Sequence, residues 1–204
     1  NHAWDAREII PHIDGEPRLI RPVNLPAGTP GRGSNVYEVP GGRKILVVQV
    51  LGRIFMDPLD DPFAAAVEAL KAHTLGGSVN AIFVDMHAEA TSEKAAIGHY
   101  LDGRVSCVFG THTHVPTADG QILPGGTAYM SDVGMCGDYD SVIGMDKAEP
   151  IRRFTRKMPG ARFTPATGEA TVCGVYIETD DKTGLTTYMA PLRQGGRLAP
   201  AWPL

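Results

Sequence analysis

Three apolar runs, at 45–50, 81–86 and 105–109, alternate with stretches of helical spacing, and this alternation constrains the fold of the chain more than any other feature. Ile45-Leu46-Val47-Val48-Gln49-Val50 is almost unbroken in apolar residues, as strands covered on both faces of a parallel sheet are. Asp60-Asp61-Pro62 opens the first intervening helix well, with acidic capping residues and a proline in the first turn. A second helix is expected from Ser92, as its cap, to about Leu101. Strand, helix, strand, helix, strand at this spacing predicts an α/β architecture with parallel neighbours. Shorter strands are expected at Ile122-Leu123 and 127–130, a helix at 147–156, and a hairpin from 170–179 and 185–190. Residues 1–16 read as a short helix, with good formers from Ala6 to Ile10 before Pro11 breaks the run, and the Pro- and Gly-rich text from 17 to 42 reads as turns. The tail from 193 reads as an irregular surface strap.

Two of the runs end in histidine. His87 follows Ala81-Ile82-Phe83-Val84-Asp85-Met86, and Gly110-Thr111-His112-Thr113-His114 follows the third run. Ligands of open α/β sheets gather at the carboxyl ends of strands, where these side chains fall. If the backbone is extended there, His112 and His114 point the same way, able to chelate one metal or to serve two. A histidine metal site is the first expectation, with iron, manganese or zinc better suited than calcium or magnesium. Asp85 would share a strand face with His87, and Glu89 could steer an imidazole through its other ring nitrogen. His12, His73 and His99 read as structural.

Composition narrows the classes. The net charge of −4 and pI near 6.0 argue against a nucleic-acid coat or a polybasic membrane binder, so neither a stable nucleic-acid complex nor a membrane is expected. An anionic substrate would need a local attraction, which a metal site supplies. Three widely spaced cysteines, Cys107, Cys136 and Cys173, suit free thiols in a reducing compartment, hence a cytoplasmic location. An assembly of identical chains is the ordinary expectation for such a protein.

Longer strings carry a resemblance. Asn1-His2-Ala3-Trp4-Asp5, Arg21-Pro22-Val23-Asn24, Pro58-Leu59-Asp60-Asp61-Pro62-Phe63, His87-Ala88-Glu89-Ala90-Thr91-Ser92-Glu93-Lys94, the 110–115 string and Asp132-Val133-Gly134-Met135 together resemble the YmdB-like branch of the calcineurin-like metallophosphoesterases. The resemblance implies a single metallophosphoesterase domain over 1–204, with layered sheets flanked by helices. It implies a phosphodiesterase acting on 2′,3′-cyclic nucleotides through a hydroxide that bridges two metal ions, iron or manganese favoured and zinc possible. Asn1, His87 and His112 would hold one ion and His114 the other, while His2 would be the general acid at the leaving oxygen, with Asp5 orienting it. The first aspartate and the Glu-Asn pair of that family have no counterpart here. They are expected in two strand–helix units before Asn1, about 60 residues, so the chain is expected to lack the N-terminal part of the fold.

Other classes compete at this point. A metallo-β-lactamase-like hydrolase would want Asp-His soon after His-x-His, where Val115-Pro116-Thr117 stands. An amidohydrolase-like enzyme would want His-x-His on its first strand. A non-catalytic regulatory or binding module could keep the same fold.

Overall fold

The computed structural model describes residues 2, 4, 6–158 and 160–203. Its elements in chain order are α1 (Ile9–Ile13), β1 (Ser34–Val39), β2 (Arg43–Leu51), α2 (Pro62–Leu70), β3 (Ala81–His87), α3 (Thr91–Tyr100), β4 (Cys107–Thr111), β5 (Gln121–Ile122), β6 (Ala128–Met130), β7 (Gly137–Asp138), α4 (Ala148–Arg156), β8 (Ala170–Thr179) and β9 (Thr186–Gln194). The larger sheet has the order β1-β2-β3-β4-β6-β5, parallel from β2 to β6 and closed by an antiparallel strand at each edge. The smaller sheet, β7-β8-β9, is antiparallel throughout.

The core lies where the apolar runs place it. Leu46, Val48, Val50, Ile82, Val84, Met86 and Val108 are buried in the central strands, and Ala66 and Leu70 of α2 with Ile97 of α3 and the adjoining Leu101 pack onto them. Removing that apolar surface from water is the main driving force for closing helices over the sheet. Asp61 caps α2, its carboxylate accepting from Phe63 N at 2.8 Å, and Pro62 follows in the first turn. The smaller sheet is tied to the larger through Ser106, whose hydroxyl donates to Gly184 O and whose carbonyl accepts from Thr186 Oγ1.

Several sequence expectations shift. Pro11 does not stop the first helix but sits inside α1, in the first turn, where its missing N–H has no helical partner to lose. The 17–42 stretch is not all turns, since β1 pairs with β2 from Ser34↔Val48 to Val39↔Arg43. α3 begins at Thr91 behind Ala90, without a side-chain cap, so Ser92 lies inside it. β4 starts and ends two residues later than the 105–109 run, because its parallel register with β3 carries it to Thr111.

Candidate metal centre

β3 and β4 are parallel neighbours in the register Asp85↔Phe109 and His87↔Thr111, so their carboxyl ends lie side by side. His87 is the last residue of β3. His112 is the first residue beyond β4, and the chain is no longer extended there: φ is 106° at His112 and 67° at His114. The expectation that these two imidazoles share one face of an extended strand is therefore corrected. Gly110 lies against the next strand so closely that a Cβ would stand 1.7 Å from Ser131 O. Three residues on, Thr113 N donates to the Asp132 carboxylate at 2.9 Å, and the chain curls around it.

The curl turns His112 back toward His87. Its Nδ1 lies 3.2 Å from His87 Nε2, with ring centroids 5.0 Å apart and planes at 75°. His114 takes a different bearing, its Nδ1 2.7 Å from Ile143 O. A carbonyl only accepts, so this nitrogen carries the proton and His114 Nε2 keeps its lone pair.

The same accounting fixes the His87 ring. Gln49 Nε2 donates to Asp85 Oδ2 at 2.6 Å, and Thr111 Oγ1 donates to Asp85 Oδ1 at 2.7 Å. The single hydroxyl proton is thus spent, and Thr111 Oγ1 accepts from His87 Nδ1 at 2.8 Å. Asp85 does share the face of His87, but acts on it through threonine. Burial pushes the Asp85 carboxyl above its ordinary range, against the pull of the hydrogen bonds from Thr111 and Gln49. Glu89 Oε2 lies 3.2 Å from His112 Nε2. Burial, reinforced by His112 and Lys94, pushes the His87 imidazole down to about 3 and keeps it neutral.

His112 Nδ1 thus lies within hydrogen-bonding distance of the His87 Nε2 lone pair, and the two imidazoles converge on one point beyond the strand ends. Their 3.2 Å separation suits two nitrogens each about 2.0–2.1 Å from one ion. Thr113 Oγ1, in the residue between His112 and His114, is buried without a hydrogen-bond partner among the described residues. The donor chemistry fits a metal, although no cluster of three or more His, Cys, Asp or Glu among the described residues could hold one by itself. His2 is exposed, and Asn1 and Asp5 lie outside the described residues.

Behind the histidines lies a pair that the sequence reading leaves out. Lys94 Nζ donates to Asp132 Oδ2 at 2.9 Å and to Thr111 O at 2.8 Å, while Asp132 Oδ1 accepts from Gly134 N at 2.9 Å. Thr111 O and Thr113 N, on either side of His112, are thus both held by this pair. The available signal was Asp132 at the end of the 127–131 run; nothing in the helix pattern marks Lys94 as buried. Its neighbour Glu93 accepts from Arg53 N at 3.0 Å and Ile54 N at 3.3 Å, fixing the loop after β2 beside the site.

Comparisons with known proteins place the chain in a family. A family model described as YmdB-like protein matches residues 1–192. The chain is 51% identical over 183 residues to a 2′,3′-cyclic-nucleotide 2′-phosphodiesterase of Bacillus subtilis, covering 90% of this chain and 68% of that protein. A crystal structure of a hypothetical protein from Thermus thermophilus superposes with a TM-score of 0.87 at 45% identity, covering 97% of this chain and 75% of the other. A crystal structure of a novel phosphatase from Mycoplasma pneumoniae superposes with a TM-score of 0.84 at 35% identity, covering 96% and 70%. The α/β fold is of the metallophosphoesterase type, and the chain belongs to the YmdB-like family.

Proposed function

We propose that this chain is the hydrolase domain, over 1–204, of a metal-dependent phosphodiesterase that opens 2′,3′-cyclic nucleotides. The observation that carries the reading is the pair of imidazole nitrogens 3.2 Å apart at the ends of two parallel strands. The relative from Bacillus subtilis supports the choice of substrate. His87 and His112, with Asn1, would hold one ion and His114 the second. Iron or manganese is favoured for this donor set, with zinc possible. Bound there, the ions would supply positive charge to the phosphoryl oxygens and lower the pKa of the attacking water.

The chain's own residues do the remaining work. Asp85 through Thr111 and the Ile143 carbonyl hold His87 and His114 in tautomers that leave Nε2 as the acceptor, and Glu89 lies beside His112 Nε2. His2 donates a proton to the departing ribose oxygen, so that no alkoxide has to leave. The partners are small phosphodiesters and further copies of the same chain, the latter supported by exposed Ile151 and Phe154 on α4. A cytoplasmic location is supported by three free thiols, one of which, Cys107, burial pushes up to about 12. No helix among the described residues is long and apolar enough to cross a membrane.

The test is His2→Ala in the full-length protein. Metal content is expected to stay at the wild-type level while hydrolysis of 2′,3′-cyclic AMP falls about 10²–10⁴-fold. A p-nitrophenyl diester, whose leaving group needs no proton, loses much less. Undiminished turnover of the cyclic nucleotide by this variant rules out the role of His2, and a wild-type protein inert toward both diesters overturns the function.

A further inference from the structure

Beside His114 lies a cavity of about 360 Å³, walled by His114 itself and by Val115, Met135, Tyr139, Val142 and Ile143. We propose that it is the subsite for the nucleobase of the substrate, a proposal that rests on the phosphodiesterase reading and deepens it.

The cavity is within the size range of small-ligand pockets, and its walls beyond His114 are mostly apolar. The polar groups that border it are already engaged. Tyr139 Oη accepts from Met135 N at 3.0 Å and is 3.1 Å from His114 O, and Ser141 Oγ donates to Asp138 O and accepts from Gly144 N. A sugar or an anion would find few partners there. A flat heterocycle can bury its faces without needing them, and every base has such faces.

The strained turn at 141–144 points the same way. Ile143 has φ 48°, a left-handed conformation that β-branched residues rarely adopt. The turn is held by backbone bonds in both directions between Val142 and Met145, at 2.9 and 3.0 Å, and by Gly144 N on Ser141 Oγ. One product of that geometry is the Ile143 carbonyl on His114 Nδ1. The other is an isoleucine side chain on the cavity wall, 56% exposed. Asparagine would take this backbone with less strain, so what isoleucine adds is apolar surface.

The position fits the chemistry of the substrate. In a cyclic nucleotide the base is joined to the phosphodiester through a single ribose, so its pocket must adjoin the groups that hold the phosphate. His114 belongs to both. With so few free donors or acceptors, the subsite is expected to take purines and pyrimidines alike.

The experiment compares kcat/KM of the full-length protein for 2′,3′-cyclic AMP, 2′,3′-cyclic CMP and 1-O-methylribose 2′,3′-cyclic phosphate, which has no base. Wild-type protein is expected to prefer both nucleotides over the base-free diester. In Ile143→Asn that preference falls about tenfold, as loss of an apolar contact does, mostly through KM. Val142→Thr, nearly isosteric, shifts it in the same direction and guards against a misfolded first variant. Equal use of base-free and nucleotide substrates by the wild type overturns the subsite while leaving the phosphodiesterase reading intact, as does an unchanged preference in both variants. Wild-type protein inert toward all three diesters removes the underlying reading instead.

Discussion

Lys94 meets Asp132 at 2.9 Å with 1% of each side chain exposed, whereas Glu149 meets Arg152 at 3.0 Å and Arg153 at 2.9 Å with 15%, 35% and 39% exposed. The distances are nearly equal and the surroundings are not. Taking two charges out of water costs several kcal/mol per ion in general, and the buried pair offsets it because both groups make further hydrogen bonds. Lys94 also holds Thr111 O, and Asp132 also holds Thr113 N and Gly134 N. The Glu149 cluster sits on one turn of α4, two of its members at i+3 and i+4, in contact with solvent. One pair shapes the chain between two candidate ligands; the other decorates a helix.

Three experiments can break or sharpen that contrast. The largest effect is expected from Lys94→Met, which strands the Asp132 carboxylate in the interior. It should cost about 3–5 kcal/mol and lower the thermal midpoint by about 10 °C or more. Metal affinity should fall with it, because the His112 turn loses its anchor. A melting curve that matches wild type would show that the buried pair is as dispensable as a surface one. Adding Asp132→Asn to Lys94→Met removes the stranded charge while keeping an acceptor for one of the two amides. Calorimetry should find the double variant more stable than the single one but still below wild type.

The smallest effect belongs to Glu149→Gln. Hydrogen bonds from Arg152 and Arg153 hold the Glu149 carboxyl down at about 2, below its ordinary value of 4.5. A lowered folded-state value means the contribution is complete above pH 4.5 and is lost as pH falls through about 2. Thermal midpoints of wild type and variant, measured across that range, should differ slightly near neutrality and converge at its acid end. A gap at pH 7 as wide as that of Lys94→Met would erase the distinction drawn above.

How much of this was legible in the sequence depends on what each feature needs. The central strands need only apolar residues in a row, and α2 needs only Asp61 and Pro62 at its start, so these could be read directly. β1 could not, because Ser34-Asn35-Val36-Tyr37-Glu38-Val39 is a half-buried edge strand among glycines and prolines, extended by pairing with β2 and not by its own pattern. His87 and His112 were findable as the residues that end apolar runs. The left-handed turns at His112 and His114 were not, since they depend on Asp132, 20 residues after His112, and on the close packing of Gly110 against Ser131. Lys94 is the plainest failure of pattern reading. A lysine in a helix of mixed polarity reads as solvated, and only the strand ends above it reveal that it is buried.

The register of β3 against β4 also bears on how the molecule acquires its site. His87 and His112 come from one strand–helix–strand crossover, so their meeting requires closure of a short stretch of chain only. Closing a short loop costs less entropy than closing a long one. The crossover should therefore bring the imidazoles together before the β8–β9 hairpin docks through Ser106, and an ion captured by them would stabilise an early folding nucleus. The Ile143 turn, which orients His114 and walls the cavity, arrives from farther along the chain. Cofactor loading and substrate selectivity would then mature at different moments in the life of each newly made molecule.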